Sequence, residues 1–347
     1  MRESARLGTT EASFKTAGET MRRLSRIEIS TSTLWRQHKE VTSQLETRLE
    51  KEEQEVPYYV AQADVPAMEW IPAEQSVVEH ASVSIDGVKI LTRDEGYREV
   101  KIVSVSEVVL ESEPDTVAHD PGTQGSQKAL NSTDEERGRQ DNLKLTNHSY
   151  RAVLGDKSTF IPALKGELAR RRVRRADKIT TPNDGAEWIW DLVQQYLPAR
   201  RVEVLDWSHA VQNLAKAGKA GWGEGTAKAK AWLEERKTEL WHGKLVEVEI
   251  GLEALPRRYK ERGKQIRQVK AYVDDHWKRL RYNVFRADGR PIGSGTVESA
   301  ARNVVTWRMK RGGQRWSGPG ATRMLIAVGE VHSDRWDVQM QRLAKAA

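Results

Sequence analysis

Three carboxylic acids in this 347-residue chain stand where an acid can reach a neighbouring element. Asp86 follows the alternating stretch SVSI, Asp184 precedes the helical stretch EWIWDL, and Glu298 lies in the first turn of a predicted helix. Each position also has a purely structural explanation, because acids open turns, cap helices and stabilise helix N-termini. Brought together, the three acids would offer the oxygen ligands that hard divalent cations prefer.

Close carboxylates repel one another unless cations lie between them. Two Mg²⁺ ions, or Mn²⁺ ions, about 4 Å apart would hold three acids, polarise a phosphodiester and activate water or a 3′-hydroxyl. We therefore predict that Asp86, Asp184 and Glu298 are both the catalytic residues and the metal ligands.

Asp206 and His209, in the stretch VLDWSHAV, are an acid and a histidine at the end of a predicted strand and the start of a predicted helix. Three explanations fit this pair. Asp206 can be a plain helix N-cap, the two residues can form a hydrogen-bonded pair that supports the metal site, or Asp206 can itself replace Asp184 as the second metal ligand.

Period-two and helical patterns place these residues on a mixed sheet. Strands are predicted over 81–91, 98–110, 145–155, around Ile179 and over 201–206, with helices before, between and after the last of them. Three strands joined by hairpins and followed by two helix–strand units predict an α/β fold, a mixed sheet flanked by helices.

The remaining segments are assigned by composition and helical periodicity. Ser30 or Ser32 is expected to cap the second of two N-terminal helices, which fit a helix-turn-helix or a plain helical hairpin. The predicted organisation is a helical segment over 1–53 that could bind DNA, a linker over 54–80, a polar loop over 111–142, a helical region over 210–285 and a C-terminal tail over 332–347.

The composition favours a polyanionic partner. Lys and Arg total 57 against 50 Asp and Glu, which gives a net charge of +7. The absence of cysteine excludes disulfides, thiolate catalysis and cysteine-bound zinc. No apolar run reaches the roughly 20 residues of a membrane helix, and the N-terminus has no apolar signal core. We expect a cytoplasmic protein that has no membrane partner.

A basic run follows Glu298 and could hold DNA. Lys and Arg side chains contact phosphates, which supply much of the affinity of DNA binding. The alternative is a solvated basic helix end that balances the helix dipole. A second, weaker candidate is the arginine run 170–175. The predicted DNA-binding residues are Arg302, Arg308, Lys310, Arg311 and Arg315.

Four motifs resemble those of bacterial insertion-sequence DDE transposases, specifically the Kra-type family, which is distantly related to Mutator-like transposases. The motifs are SIDG, NDGAEWIW, VLDWSHAVQNL and, the longest and most specific, PIGSGTVESAARNVVTWRMKRGGQRWS. They follow one another in the family's order, and the resemblance covers roughly residues 80–330.

The resemblance implies a ribonuclease-H-like catalytic domain over 81–331, with 210–285 as a helical insertion. It implies Mg²⁺-dependent cleavage of double-stranded DNA at terminal inverted repeats and strand transfer into target DNA, by a homo-oligomer associated with the nucleoid. Asp86 corresponds to the first family acid and Glu298 to the third. Asp184 is the second, because it follows the fourth strand, and Asp206 with His209 then matches a downstream Asp/Cys-x-x-His element. Asp206 remains the alternative second acid.

Three alternatives to an active transposase remain. The chain could be an inactive copy, a domesticated DNA-binding protein without catalysis, or another ribonuclease-H-like nuclease such as a junction resolvase. Metal binding at the acids would distinguish an enzyme from an inactive copy or a domesticated DNA-binding protein. Strand-transfer products would distinguish a transposase from another ribonuclease-H-like nuclease.

Overall fold

The fold is built on a five-stranded mixed sheet, and the residues described in this computed structural model are 1–56, 79–110, 142–257, 260–311 and 314–346. The strands are β1 (His80–Leu91), β2 (Tyr97–Leu110), β3 (Leu143–Leu154), β4 (Lys178–Asn183) and β5 (Val202–Leu205). They lie in the order β3-β2-β1-β4-β5. β1, β2 and β3 are antiparallel neighbours, whereas β4 runs parallel to β1 and β5 parallel to β4. The predicted mixed α/β sheet is confirmed.

Helices cover both faces of the sheet and form the N-terminal segment. Besides the α-helices, a π-helical segment covers Ala301–Thr306, and short 3₁₀ turns occur at Val173–Arg175 and Trp277–Arg279. The helices are α1 (Arg2–Thr10), α2 (Phe14–Ser25), α3 (Thr31–Gln54), α4 (Lys157–Arg170), α5 (Glu187–Tyr196), α6 (Trp207–Trp222), α7 (Ala227–Trp241), α8 (Leu245–Glu253), α9 (Lys260–Asp275), α10 (Tyr282–Ala287), α11 (Gly295–Ala300), α12 (Trp307–Met309), α13 (Gly318–His332) and α14 (Trp336–Ala346).

The alternating sequence of β1 gives each face of the sheet a different character. Val83 and Ile85 point to one face and join a core completed by helices α4 to α10. Ser82 and Ser84 point to the other face together with Asp86. Helix α11 packs on β1 and β2, and α13 packs on β3. A second core lies under α11 to α13 and includes Ile90, which follows the polar residues of β1.

The N-terminal segment is helical, as predicted, and packs against the rest of the chain. Helix α3 contacts α4 and α13, and Leu45 and Leu49 are buried there. Ser30 caps α3 by accepting a hydrogen bond from the amide of Thr33, so the first of the two predicted caps is correct. Leu24, in the last turn of α2, is 73% exposed and takes no part in this packing.

A buried ion-pair network joins the N-terminal segment to the sheet. Glu53 at the end of α3 accepts hydrogen bonds from Arg151 of β3, at 2.7 and 3.0 Å, and from Arg170 of α4, at 3.1 Å. Glu167 of α4 in turn accepts from Arg335, which precedes α14. Burial raises the pKa of Glu167, but Arg335 and Arg170 outweigh it and lower that pKa to about 2. These carboxylates are therefore ionised at neutral pH.

We expect Glu53→Ala to lower the free energy of unfolding by about 3–5 kcal/mol, because it leaves two buried arginines without their shared carboxylate. Urea unfolding at pH 7 would measure the change. Glu50→Ala, on the exposed side of the same helix, is the matched control and should change stability by less than about 1 kcal/mol. Equal losses in the two variants would show that the network does not tie α3 to the sheet.

Several predicted boundaries change in the structure. The C-terminal tail, predicted over 332–347, contains helix α14. The arginine run 170–175 is not a free basic face, since Arg170 and Arg171 are both buried. Most of the predicted linker, residues 57–78, and nearly all of the predicted polar loop, residues 111–141, lie outside the described residues. Among the helices that are described, none is long and apolar enough to cross a membrane.

Candidate metal and nucleic-acid site

Asp86 lies within β1, five residues before its end, and does not open a turn. The strand continues because β2 pairs with it over the full length, with Asp86 opposite Ile102. The Asp86 carboxylate accepts a hydrogen bond from the amide of Gly87 at 2.6 Å. A Cβ at position 87 would stand 2.7 Å from the Glu99 carboxylate, so a larger residue there would displace the Glu99 side chain. Asp86 is therefore held at the centre of the sheet.

Asp184 directly follows β4, the parallel neighbour of β1. The side chain of Asn183 extends this pairing, since its amide oxygen accepts a hydrogen bond from the backbone of Ile85 at 2.6 Å. Asp184 itself accepts from the amide of Ala186 at 3.0 Å. Ala186, not Asp184, is the N-cap of α5, so the predicted capping explanation for Asp184 is wrong. The turn instead places Asp184 beside the middle of β1.

Glu298 lies in the first turn of α11 and is exposed, whereas Val297 and Ala300 beside it are buried. Because α11 packs on β1 and β2, Glu298 stands at the same region of the sheet as Asp86. The sheet and this helix thus bring acids from three separate stretches of sequence towards one place.

Asp86 lies within electrostatic range of the other two acids. Burial raises the pKa of Asp86, and the negative charges of Asp184 and Glu298 raise it further, against the hydrogen bond from Gly87. A carboxylate whose ionisation is opposed by neighbouring acids is one that a divalent cation would stabilise. Carboxylate oxygens such as those of Asp86, Asp184 and Glu298 are the ligands that Mg²⁺ or Mn²⁺ prefers, but among the described residues the acid and histidine ligand atoms that come within 4.8 Å of one another are those of Asp206, His209 and Glu298.

Asp206 links the start of α6 to the loop before α11. One carboxylate oxygen accepts from the Ser208 hydroxyl at 2.5 Å and from the backbone and ring of His209 at 2.9 and 3.1 Å. The other accepts from the backbone and hydroxyl of Ser294 at 2.6 and 2.8 Å. Asp206 is only 1% exposed, and these donors hold its pKa near 2 although burial raises it. Both its role as N-cap and its predicted hydrogen bond to His209 are confirmed.

His209 lies among the acids. Its hydrogen bond to Asp206 raises its pKa against the effect of burial, and the charges of Asp206, Asp184 and Glu298 raise it further. One nitrogen of His209 and single carboxylate oxygens of Asp206 and Glu298 all lie within 4.8 Å of one another. These three residues are a second ligand set, which shares Glu298 with the first and adds an imidazole that suits transition metals better than Mg²⁺.

The exposed side of the helix that begins with Glu298 carries part of the predicted basic run. Arg302, Lys310 and Arg315 are exposed, and Arg311 is half-buried, with its guanidinium stacked 4.4 Å from the Trp307 ring. The π-helical segment between α11 and α12 widens the helix just after Glu298. Such segments are rare and recur at functional sites.

Arg308 does not belong to this exposed set. Its side chain is only 2% exposed and donates a hydrogen bond to the backbone oxygen of Gly8 at 3.1 Å. It also lies against the rings of Phe14 and Trp316. The prediction that Arg308 contacts the DNA backbone beside the acids is therefore withdrawn.

Three positioning residues were not predicted from the sequence: Asn183 and Ser294 lie within its motifs, whereas Tyr272 lies outside them. Asn183 pairs with β1, and Ser294 holds Asp206. Tyr272 of α9 covers Gly185 so closely that a Cβ at Gly185 would overlap its ring. Asn183 directly precedes Asp184 in the sequence, and Ser294 directly precedes the helix of Glu298, so the sequence indicated the positions of both. Nothing in the sequence indicated a role for Tyr272.

A cavity of about 740 Å³ lies along the outer side of β5, away from the acids. Its charges pair with one another: Arg279 with Glu203 at 2.7 Å and Arg290 with Asp288 at 2.6 Å. It adds nothing to the candidate site.

A scan of the sequence against protein-family models found no match, and a search of curated proteins found no relative.

Proposed function

We propose that this chain is a DDE transposase of a bacterial insertion sequence, which cleaves DNA at the ends of the element and joins them to target DNA. The observation that carries the proposal is the convergence of Asp86, Asp184 and Glu298 from β1, the end of β4 and α11. The strand order β3-β2-β1-β4-β5, with β2 antiparallel to β1, supports a ribonuclease-H-like core, in which the second acid follows the fourth strand.

In this proposal Asp86, Asp184 and Glu298 hold two Mg²⁺ ions, which supply Lewis-acid activation of the phosphodiester and of the attacking oxygen. Asp206 and Ser294 fix the loop from which the Glu298 helix begins. His209, positioned by Asp206, stands close enough to the acids to hydrogen-bond a group bound there. Arg302 and Lys310 hold the DNA backbone on the exposed side of the same helix.

Asp184 is the better second ligand for Mg²⁺. Both oxygens of Asp206 already accept hydrogen bonds from protein donors, five in all. Asp184 is half-buried and accepts from Ala186 through one oxygen. A cation at Asp206 would have to displace Ser294 or His209, whereas Asp184 can accept one without breaking the site apart.

The test is cleavage of a duplex that carries the terminal repeats flanking the gene. We expect strand cleavage that leaves a 3′-hydroxyl in Mg²⁺ or Mn²⁺, strand-transfer products when target DNA is added, and no reaction in EDTA. Undiminished cleavage in EDTA, or no cleavage with any divalent cation, would contradict the proposal.

A second candidate is a hydrolytic nuclease that does not join strands. The set Asp206, His209 and Glu298 favours it, because an imidazole ligand is typical of Mn²⁺ or Zn²⁺ sites. Cleavage supported by Zn²⁺ but not by Mg²⁺, without strand-transfer products, would select this candidate.

A further inference from the structure

A cavity of about 440 Å³ lies between the N-terminal helices and the segment that leads into α13. Its size falls in the usual range of small-ligand sites. The backbone of Trp316 pairs with the end of β1 there: it donates to Leu91 at 3.2 Å and accepts from Arg93 at 2.9 Å. Position 92 is six residues beyond Asp86, roughly 20 Å at about 3.3 Å per strand residue. The cavity is therefore distinct from the acid cluster.

The charge of this cavity is one-sided. Among the described residues that line it, there is no Asp or Glu. Arg323 of this lining pairs with Glu46, which lies outside it, at 3.8 Å. Five cationic residues line it: Lys39, Arg93, Arg308, Arg315 and Arg323. Such a concentration of positive charge attracts a phosphate-bearing ligand.

Buried polar atoms at this cavity lack partners. The Nε of Arg308, in a side chain that is 98% buried, has no hydrogen-bond acceptor among the described residues. The side-chain oxygen of Gln314 beside it likewise has no donor. Buried polar groups are nearly always paired, so an unpartnered donor and acceptor in one cavity point to a ligand that offers both.

Aromatic rings complete the lining. Trp35 is 49% exposed, with the Lys39 ammonium 5.5 Å from its ring centre. Phe14 and Trp316 lie 5.4 and 5.3 Å from the Arg308 guanidinium. Aromatic side chains interleaved with cations are the usual means of holding unpaired nucleotides, because every base presents a face on which a ring can stack.

We propose that this cavity binds one unpaired nucleotide of a DNA strand, with its base stacked on Trp35 and its phosphate among Arg93, Arg308 and Arg315. The base edge meets Gln314, which can both donate and accept. The DNA strand as the source of the nucleotide rests on the proposed function, whereas the nucleotide site rests on the cavity's own residues.

The test compares a duplex that contains one bulged 2-aminopurine with the same duplex fully paired, in EDTA so that no metal chemistry enters. We expect tighter binding of the bulged duplex and quenched 2-aminopurine fluorescence. Trp35→Ala should weaken binding of the bulged duplex about 5- to 150-fold, because base stacking contributes about 1–3 kcal/mol. Trp307→Ala, which removes a tryptophan that is 57% exposed outside the cavity, should leave the ratio of the two affinities unchanged.

The proposed nucleotide site would be wrong if Trp35→Ala left the ratio of the affinities for the bulged and the paired duplex unchanged. It would also be wrong if Trp307→Ala lowered that ratio as much as Trp35→Ala does. Lys39→Gln should weaken binding of the bulged duplex, and Lys230→Gln, the same charge change on exposed α7, should not. If thymidine 5′-monophosphate competes as strongly as a bulged oligonucleotide, a free nucleotide and not a DNA strand is the ligand. Because binding is read without metal, failure of DNA cleavage cannot imitate any of these results.

Discussion

Glu298→Gln is expected to reduce Mg²⁺-dependent DNA cleavage about 10³-fold or more while leaving the fold intact. Glutamine keeps the size of the side chain and removes the charge that holds a divalent cation. Charge stabilisation by metal ions is worth several kcal/mol, and each 1.36 kcal/mol is a factor of ten in rate. Glu298 is exposed, so the variant should not lose stability.

The matched control is Glu247→Gln, an exposed acid in the first turn of α8. It removes the same charge from the same position of a helix, away from the acid cluster, and should cleave like the unchanged protein. Because Glu298 belongs to both ligand sets, this experiment tests whether the acids are a metal site at all. Cleavage by Glu298→Gln at the rate of the control would remove the acid cluster from the mechanism.

The three acids could be found in the sequence because each stands in a local pattern. Asp86 follows period-two residues, and Glu298 follows the glycines of GSGT at a helix start. What the local pattern could not predict is which strand pairs with β1 around Asp86. The strand continues past it because β2 supplies a partner for every residue from Ala81 to Leu91, a long-range effect.

The hydrogen bonds that hold the site could not be predicted from the sequence, because they also join residues that are far apart in the chain. Ser294 binds Asp206 across 88 residues, and Asn183 binds Ile85 across 98. Nothing in the spacing of either pair indicates a contact. Hydrophobic periodicity identifies faces of elements, but it does not say which polar side chains meet when the faces pack.

One member of the predicted DNA-binding run, Arg308, lies on the buried side of its helix. Arg308 is eleven residues beyond the buried Val297, about three turns at 3.6 residues per turn, so the two residues share one side. The π-helical segment between them, Ala301–Thr306, does not bring Arg308 to the surface. Arg302 and Lys310 are exposed, as Glu298 is.

The buried position of Arg308 gives it a different role in the proposed function from that of the exposed arginines. Glu298 and Arg308 lie on one continuous helical stretch, 295–309, with the acid at its exposed start and the arginine in the cavity beside Trp316. If both proposals hold, one rigid element connects the cleavage site to the nucleotide site. The spacing between the two would then set how far from the cut an unpaired base must lie.

Asp184→Asn is expected to lose Mg²⁺ binding and about 10³-fold in cleavage, whereas Asp206→Asn should keep the cation and lose about 10- to 100-fold, as positioning partners of metal ligands do. Asparagine at 206 can accept from His209 but cannot accept from the amide of Ser294 through its NH₂ group, so a buried donor loses its partner.

Two readouts separate the roles. Asp206→Asn should lower the pKa of His209 towards its ordinary value, because the carboxylate that raises that pKa is gone, and NMR titration of the imidazole would record it. It should also cost about 1–3 kcal/mol of stability for the unpaired donor, which Asp184→Asn should not. Loss of cation binding in Asp206→Asn together with its retention in Asp184→Asn would instead identify Asp206, His209 and Glu298 as the ligands, and would move the chemistry from Mg²⁺ towards Mn²⁺ or Zn²⁺.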